Sequence, residues 1–362
     1  MVTLIDRSDK PRPAIRFERN MKHIISVSRR TDIPAFYFDW FLNRCRAGFC
    51  DVANPFNPKQ VRRVSLRAED VNCVVFWTKD PRPLLARIDE LDATVLPYGF
   101  LFTLNRYPVE LEPRLPPYRD RLASFRALAE HVGRERMVWR YDPIIVSDRT
   151  PFDWHERNFQ EMASDLEGAT HRVITSFVDY YRKTERRLAS LESEGWRFDR
   201  DVENAAGAHA LMAGMAETCS HHGMSPQTCA ETVDYTADGV PPGGCISEEL
   251  VRACSGLGDE RQKDPYQRDA CLCLRSRDIG ATDSCLHGCP YCYATRSHEA
   301  AQARHARHDP EEAMLYRPGG ETYTLGRNGT DAGTWGRGDP PSLYELRRGE
   351  RGNEGDKETG RY

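Results

Sequence analysis

The chain has 362 residues, which is enough for one large domain or two modest ones. Its formal net charge of -4 excludes a strongly basic protein, although local basic patches remain compatible with it. No apolar run approaches the roughly 20 residues of a membrane span, and the N-terminus has no apolar signal core. We therefore expect a cytoplasmic protein without a membrane partner, in which the twelve cysteines favour metal binding over disulfides.

Short apolar runs alternate with longer helical stretches from residue 21 to residue 228. They predict strands at 23–28, 72–77, 98–104, 137–141, 172–178 and 224–228, and helices at 35–47, 81–91, 119–133, 152–166 and 203–222. This alternation indicates an α/β fold with a parallel sheet and favours a full or partial (β/α) barrel, with an open doubly wound sheet as the alternative. No Gly-x-Gly-x-x-Gly follows a strand, so we expect no dinucleotide site.

The rest of the chain divides into four segments. Residues 1–20 are polar and read as a flexible N-terminal extension. Residues 229–274 are rich in cysteine and show little periodicity, so they form a loop-rich auxiliary metal segment in this interpretation. Residues 275–316 carry a short strand, a cysteine loop and a helix at 295–308, and would complete the barrel. Residues 317–362 are rich in glycine and charge, which predicts a disordered tail.

The most specific signal is a run of eight residues at 285–292. It places Cys285, Cys289 and Cys292 at spacings of four and then three, with Tyr291 before the last cysteine. Thiols this close cannot all pair as disulfides without severe backbone strain. A zinc site normally takes four ligands, whereas a 4Fe-4S cluster held by three cysteines leaves one iron open to a small molecule. The spacing therefore favours an iron-sulfur centre.

This spacing resembles the cluster loop of the radical S-adenosylmethionine superfamily. The resemblance implies that Cys285, Cys289 and Cys292 hold a 4Fe-4S cluster that binds S-adenosylmethionine, with Tyr291 near the adenine. It also implies an enzyme that cleaves this cofactor to a 5′-deoxyadenosyl radical and abstracts hydrogen from a substrate. Such an enzyme needs an electron donor such as flavodoxin or ferredoxin.

The order of the segments departs from that superfamily, in which the cluster loop follows the first barrel strand. Here the loop comes last, and a circular permutation would account for this if the strand at 275–280 lies beside the strand at 23–28. An unrelated barrel with a ferredoxin-like appendage is the alternative. Residues 21–315 also closely resemble a bacterial family known as domain of unknown function 1848, through IISVSRRTDIPAFY, NPFNPKQVRRVSL, VVFWTKDP, VWRYDPI and DIGATDSCLHGCPYCYA.

Polar side chains follow the predicted strands at their C-terminal ends, where the active sites of (β/α) barrels lie. Arg140 and Asp142 alternate with bulky residues, and such a pair can hold a carboxylate or a phosphate. Together with Asp179, Tyr181 and Lys183 they are the residues that we expect to hold the substrate. The simpler alternative for each of them is that a charged residue marks the point where a strand meets water.

The radical superfamily often binds the cofactor amine through a Gly-Gly-Glu stretch after the second strand. This chain has the sequence SRRTD at the equivalent place, so the binding mode differs. We expect Arg29 or Arg30 to contact the carboxylate of S-adenosylmethionine, and Asp32 to contact its amine or ribose.

A second set of cysteines precedes the cluster loop and consists of Cys229, Cys245, Cys271 and Cys273. Four thiolates can hold a second 4Fe-4S cluster or a structural zinc, and the cysteines alone do not decide between them. By contrast, Cys45, Cys50 and Cys73 lie in helical or strand contexts, where cysteine usually packs as a small apolar group.

Two functions from other classes remain open. An iron-sulfur electron-transfer or redox-sensing protein would use a four-ligand cluster and would not cleave S-adenosylmethionine. A zinc-stabilised nucleic-acid-binding protein would need an exposed basic face with aromatic residues, which the charge balance does not favour. The loop context also resembles spore photoproduct lyase, and a DNA substrate would require a basic groove.

Overall fold

The structure is a computed structural model that describes residues 22–54, 57, 59–257, 263–265, 267–317 and 324–325. The predicted extension at 1–20 and nearly all of the predicted tail at 317–362 lie outside the described residues. The strands are β1 (His23–Val27), β2 (Phe49–Ala53), β3 (Gln60–Ser65), β4 (Val71–Thr78), β5 (Tyr98–Thr103), β6 (Met137–Ile144), β7 (Arg172–Phe177), β8 (Ser225–Thr228), β9 (Ser276–Asp278) and β10 (Thr324–Leu325).

The helices of the described residues overlap every helix predicted from the sequence. They are α1 (Ile33–Phe36), α2 (Phe38–Ala47), α3 (Arg82–Leu85), α4 (Ile88–Asp92), α5 (Tyr118–Val132), α6 (Phe152–Asp165), α7 (Arg182–Ser193), α8 (Ala206–His221), α9 (Glu248–Ser255) and α10 (His298–His305). Two single predictions, at 35–47 and 81–91, each correspond to a pair of shorter helices. None of the helices in these ranges is long and apolar enough to cross a membrane.

Seven of the described strands form one parallel sheet in the order β8-β7-β6-β5-β4-β1-β9. Every residue of β4 and β5 is buried, as expected for parallel strands that are covered on both faces. The predicted α/β class with a parallel sheet is therefore confirmed. Within the described part of the chain, β8 and β9 are the two edges of this sheet, and no ladder joins them.

The last strand of the sheet in sequence, β9, lies beside the first. Ile24 pairs with Ser276, and Ser26 pairs with Asp278, in parallel register. The prediction that a strand within 275–280 lies beside the strand at 23–28 is confirmed by this pairing. The cysteine loop that follows β9 therefore begins at the same edge of the sheet as the loop that follows β1.

Three features of the described residues were not predicted from the sequence. β2 and β3 pair as an antiparallel hairpin and form a separate small sheet with β10. The segment at 229–274, which was expected to be rich in loops, contains α9, and the helix at 182–193 was not predicted. Ser247 begins α9 by accepting a hydrogen bond from the backbone amide of Leu250, a common N-cap arrangement that the surrounding cysteines obscured.

The two faces of the main sheet are covered by different parts of the chain. One face packs into the large core formed with the helices, and it includes Ile25, Val27, Val74, Phe76, Phe100, Phe102 and Trp139. The opposite face forms a second core with the cysteine-rich segment, and it includes Ile24, Val75, Trp77, Leu101, Val138 and Ile174. Alternate residues of each strand point to opposite faces, so the cysteine-rich segment is held against the sheet itself.

Candidate functional site

A cavity of about 260 Å³ lies at the carboxyl edge of the parallel sheet. Its walls come from the residues that follow β1 and β9 and from the ends of β4, β5, β6 and β7. In parallel α/β sheets this edge is where ligands bind. All predicted site residues except Lys183 line the cavity, namely Arg29, Arg30, Asp32, Arg140, Asp142, Asp179, Tyr181, Tyr291 and the seven cysteines of the two predicted groups.

Cys285, Cys289 and Cys292, which we call the three-cysteine loop, reach the cavity from the chain after β9. Burial raises the pKa of the Cys289 thiol to about 12. Burial and the neighbouring Cys292 and Asp32 raise the pKa of Cys285 well above its ordinary value. Both thiols therefore keep their protons at neutral pH unless a bound cation displaces them, which is the usual behaviour of metal-ligating cysteines.

The backbone of the three-cysteine loop is held from two sides. From α7, the Arg187 guanidinium donates to the carbonyl oxygen of Pro290 at 2.8 Å and also to that of Cys292. From the start of α2, the Tyr37 hydroxyl donates to the carbonyl oxygen of Ser284 at 2.6 Å. These contacts fix the loop before any ligand binds. Arg187 belongs to the helix that was missed, so its role was missed as well.

Asp32 connects three parts of the site through its buried carboxylate. Oδ1 accepts the backbone amide of Ala35 at 3.1 Å and so caps α1, while Oδ2 accepts the backbone amide of Lys79 at 2.7 Å. Oδ2 also lies 2.8 Å from Nε2 of His287 in the three-cysteine loop. Asp32 therefore orients His287 and the ends of β1 and β4, in addition to lining the cavity.

Tyr291 is fixed by a buried ionic network. Its hydroxyl donates to Oε1 of Glu112 at 2.8 Å and accepts from Nζ of Lys79 at 2.9 Å. Burial would raise the pKa of Glu112, but the charges of Lys79 and Arg121 outweigh it and lower that pKa. Glu112 is thus held ionised, and the Tyr291 ring has one orientation at the wall of the cavity.

Asp278, at the end of β9, joins the two central loops and was not predicted. Its carboxylate accepts the side chains of Ser26, Ser28 and Arg30 and the backbone amides of Arg29 and Gly280. Burial would raise the pKa of Asp278, but the Arg30 and Arg29 charges outweigh it and lower that pKa. The Arg30 guanidinium is therefore already paired, at 3.0 Å from Asp278.

Cys229, Cys245, Cys271 and Cys273, which we call the four-cysteine group, converge on the same cavity. The sulfur atoms of Cys245 and Cys229 lie 3.1 Å apart. The thiols of Cys245 and Cys271 also donate to the sulfur of Cys273, and they lower its pKa well below the ordinary value. All twelve cysteines of the chain are free, so the group contains no disulfide.

The metal-binding geometry itself is absent from the described residues. Within them, no set of three or more histidine, cysteine, aspartate or glutamate side chains is arranged to hold a metal ion. The thiols of the four-cysteine group lie against one another in hydrogen-bonding contact instead. The backbone already brings the thiols of each cysteine group to one cavity. Binding of a metal at either group would therefore require only a change of cysteine side-chain rotamers.

Arg140 and Asp142 form the pair that their spacing suggested. Nη2 of Arg140 lies 2.6 Å from Oδ2 of Asp142, and Ser176 donates to the other carboxylate oxygen. Nη1 of Arg140 donates to the Thr103 hydroxyl at 3.3 Å. The Arg140 guanidinium lies over the Trp77 ring, 4.8 Å from its centroid. The pair is therefore preformed, with the guanidinium plane fixed by an aromatic ring.

Of the other predicted substrate residues, Asp179 and Tyr181 line the cavity and Lys183 does not. Asp179 forms an ion pair with Arg268 from the cysteine-rich segment, and the ring of Tyr181 lies 6.4 Å from that of Tyr293. Burial lowers the pKa of the Lys183 amine and outweighs the opposite effect of the nearby Cys292.

Several buried polar atoms without hydrogen-bond partners line this cavity. Among the described residues, the cavity-lining atoms of this kind are Arg29 Nη2, Thr31 Oγ1, Trp77 Nε1, Arg140 Nε, His287 Nδ1, Thr295 Oγ1 and His298 Nδ1. Leaving such atoms unpaired costs roughly 1–3 kcal/mol each. Seven such atoms around one cavity are available to a bound group.

Comparisons with known proteins identify a family and nothing narrower. Residues 24–294 match the family model described as "Domain of unknown function (DUF1848)". No curated protein matches the chain, and no solved structure matches it. The matched range contains both cysteine groups and every predicted site residue. Since the match spans well over half of the chain, the protein belongs to the DUF1848 family.

Proposed function

We propose that this protein is a radical S-adenosylmethionine enzyme of the cytoplasm, with a 4Fe-4S cluster held by Cys285, Cys289 and Cys292. The observation that carries the proposal is the position of the three-cysteine loop. It follows β9, which lies beside β1 at the edge of a parallel sheet, and it opens into the cavity at the carboxyl ends of the strands. A circularly permuted partial barrel of the radical type would have this strand order.

The buried atoms around the three-cysteine loop fit the proposed cofactor. Thr31, His287, Thr295 and His298 line the cavity and each has an unpaired buried polar atom. Hydroxyl and neutral imidazole groups can donate or accept, which suits a ligand that carries an amine, a carboxylate and a ribose. When bound, the reduced cluster supplies the electron that cleaves the sulfonium of S-adenosylmethionine, and flavodoxin or ferredoxin is the expected donor.

The residues of the chain have defined tasks in this proposal. Asp32 holds His287 in place and is also the predicted contact of the cofactor amine or ribose. Arg29 or Arg30 is the predicted contact of the cofactor carboxylate. Tyr291, fixed by Glu112, provides a rigid wall for the adenine. Substrate would lie between the two cysteine groups, near the residues predicted for it, namely Arg140, Asp142, Asp179, Tyr181 and Lys183. The four-cysteine group would hold a second 4Fe-4S cluster or a zinc ion.

The test is the formation of 5′-deoxyadenosine. The protein is purified without oxygen, reconstituted with iron and sulfide, and incubated with dithionite and S-adenosylmethionine. The parent is compared with a loop variant in which Cys285, Cys289 and Cys292 are replaced by alanine. A matched control replaces three cysteines outside the cavity, through Cys45→Ala, Cys50→Ala and Cys219→Ala.

We expect 5′-deoxyadenosine from the parent and from the matched control, and none from the loop variant. A brown protein that never cleaves S-adenosylmethionine would refute the proposal and favour electron transfer or redox sensing. A colourless protein that binds only zinc at both cysteine groups would refute it as well, and would favour a metal-stabilised binding protein.

A further inference from the structure

Three of the unpaired buried atoms lie together beside the four-cysteine group. They are N–H groups of Arg29, Trp77 and Arg140, and none has an acceptor among the described residues. The Arg29 and Arg140 guanidiniums lie over the Trp77 ring, 5.2 Å and 4.8 Å from its centroid. Trp77 belongs to β4, Arg140 belongs to β6 and Arg29 follows β1, so neighbouring parts of one sheet hold them as a single set of donors.

The surrounding residues indicate which acceptor these donors face. Trp77 packs in one cluster with Cys229, Cys245, Cys271 and Cys273. Arg29 and Arg140, whose guanidiniums lie over the Trp77 ring, line the same cavity as these four cysteines. The three donors therefore lie beside the four-cysteine group. All three unpaired atoms only donate, so the missing acceptor is electron-rich.

We infer that Arg29, Trp77 and Arg140 donate hydrogen bonds to the sulfur atoms of an anionic metal–thiolate centre held by the four-cysteine group. The inference rests on the second metal centre of the proposed function. It reassigns Arg29 from the cofactor carboxylate, and Arg140 from the substrate, to this centre. Arg30 and Asp142 keep their own partners, Asp278 and Ser176.

Two effects on the centre follow from this assignment. Donors around a ligating atom orient it and strengthen metal binding, and their loss typically lowers metal affinity by about 10–100-fold. Two guanidinium charges beside an iron-sulfur cluster also stabilise its reduced, more negative form, because hydrogen bonds to sulfur set the potential. Removing a donor should therefore weaken metal binding with either metal, and should lower the reduction potential if the metal is iron.

The experiment uses the full chain with the three cysteines of the three-cysteine loop replaced by alanine, so that metal binds only at the four-cysteine group. Trp77→Phe removes one N–H and keeps the ring on which both guanidiniums stack. Trp196→Phe is the matched control, because Nε1 of Trp196 is also buried and unpaired but lies away from the cavity. Arg29→Lys and Arg140→Lys keep the charge and remove the planar donors.

Metal affinity is measured by competition with a chelator, once with Zn²⁺ and once after reconstitution with iron and sulfide. We expect Trp77→Phe, Arg29→Lys and Arg140→Lys each to lower the affinity about tenfold, with no change in the Trp196→Phe control. In the iron form, the ratio of reduced to oxidised cluster at a fixed potential should fall about tenfold, which corresponds to about 59 mV for one electron.

Affinities within twofold of the background protein for all three variants would overturn the inference, as would a background protein that binds neither metal. Neither result affects 5′-deoxyadenosine formation by the protein with an intact three-cysteine loop. Conversely, the absence of 5′-deoxyadenosine together with the expected loss of affinity would refute the proposed function and support the donor set. The proposed function and the assignment of the donors can therefore be refuted independently of each other.

Discussion

Replacing Asp278 by asparagine tests whether one carboxylate holds the last strand of the sheet against the first. The substitution keeps the size of the side chain and removes its charge. In the parent, Oδ1 accepts from Ser28 at 2.8 Å and from Arg30 at 3.0 Å, while Oδ2 accepts the backbone amide of Arg29 at 2.8 Å. Asparagine has one acceptor oxygen, so it cannot serve both sets of donors.

The size of the effect follows from burial. The side chains of Asp278 and Arg30 are each only 15% exposed, so the loss of the charge is weakly screened by solvent. A hydrogen bond to a charged group contributes about 1.5–3 kcal/mol, and removing one partner of a buried ion pair costs about 3–5 kcal/mol. The substitution leaves one backbone amide without its acceptor and leaves the Arg30 charge unpaired, so we expect Asp278→Asn to lower the free energy of unfolding by about 3 kcal/mol.

Urea unfolding of the anaerobic, metal-free protein measures this difference, provided that the m-value is unchanged. Asp201→Asn, which neutralises an exposed aspartate, is the control and should stay within about 0.5 kcal/mol of the parent. A double-mutant cycle with Arg30→Gln should give a coupling energy above about 1 kcal/mol. A loss below 1 kcal/mol for Asp278→Asn, or no coupling to Arg30, would refute the reasoning.

Three other predictions use the same fold. Burial lowers the pKa of His155 to about 4 in the folded state, whereas the pKa of a histidine in the unfolded chain is about 6.5. As the pH falls, the unfolded chain therefore protonates at His155 before the folded protein does. The free energy of unfolding should therefore fall by about 3 kcal/mol as the pH drops from 6.5 to 4, and a series of urea titrations of the parent and His155→Gln should show that the variant lacks this component. Gly280→Ala would place a Cβ 2.0 Å from Oγ of Ser28 and should destabilise the protein by more than about 2 kcal/mol. Gly214 lies within α8 and a Cβ there would have its nearest contact at 3.5 Å, so Gly214→Ala should stabilise the protein by about 0.5–1 kcal/mol. Equal urea unfolding midpoints for the two variants would contradict both predictions. Arg187→Met keeps the aliphatic stem but releases the three-cysteine loop, so iron bound there should exchange with a chelator about 10–100-fold faster, and unchanged exchange would show that Arg187 does not position the loop.

Strands that are buried on both faces were readable from the sequence alone. β4 and β5 consist almost entirely of apolar residues, and parallel strands in the middle of a sheet produce such runs. The cysteine spacing at 285–292 was equally local, so the three-cysteine loop required no knowledge of distant contacts. For these strands and this loop, the local sequence pattern was enough to predict the position of the element in the chain.

The pairing of the short strand β9 could not be predicted in this way. The strand has the sequence SRD, each residue is only half-buried, and it pairs with a strand about 250 residues earlier in the chain. Only the resemblance to a permuted barrel predicted its place. Its last residue, Asp278, collects donors from the loop after β1, and such an acceptor is recognisable only once the two strands are adjacent.

The position of the four-cysteine group shows why periodicity was a poor guide to its segment. Residues 229–274 pack on a face of the sheet partly through Ile246, Leu250 and Val251, whose helical spacing is confined to the short helix α9 and its start. Gly244 lets two parts of this segment meet, because a Cβ there would lie 2.6 Å from the carbonyl oxygen of Leu272. A close approach of this kind puts Cys245 beside Cys273, which is its neighbour across 28 residues of chain. The same face of the sheet carries Trp77, with the Arg29 and Arg140 guanidiniums over its ring. The packing that orders the segment therefore also brings its thiols beside these donors, and a sequence pattern contains neither fact.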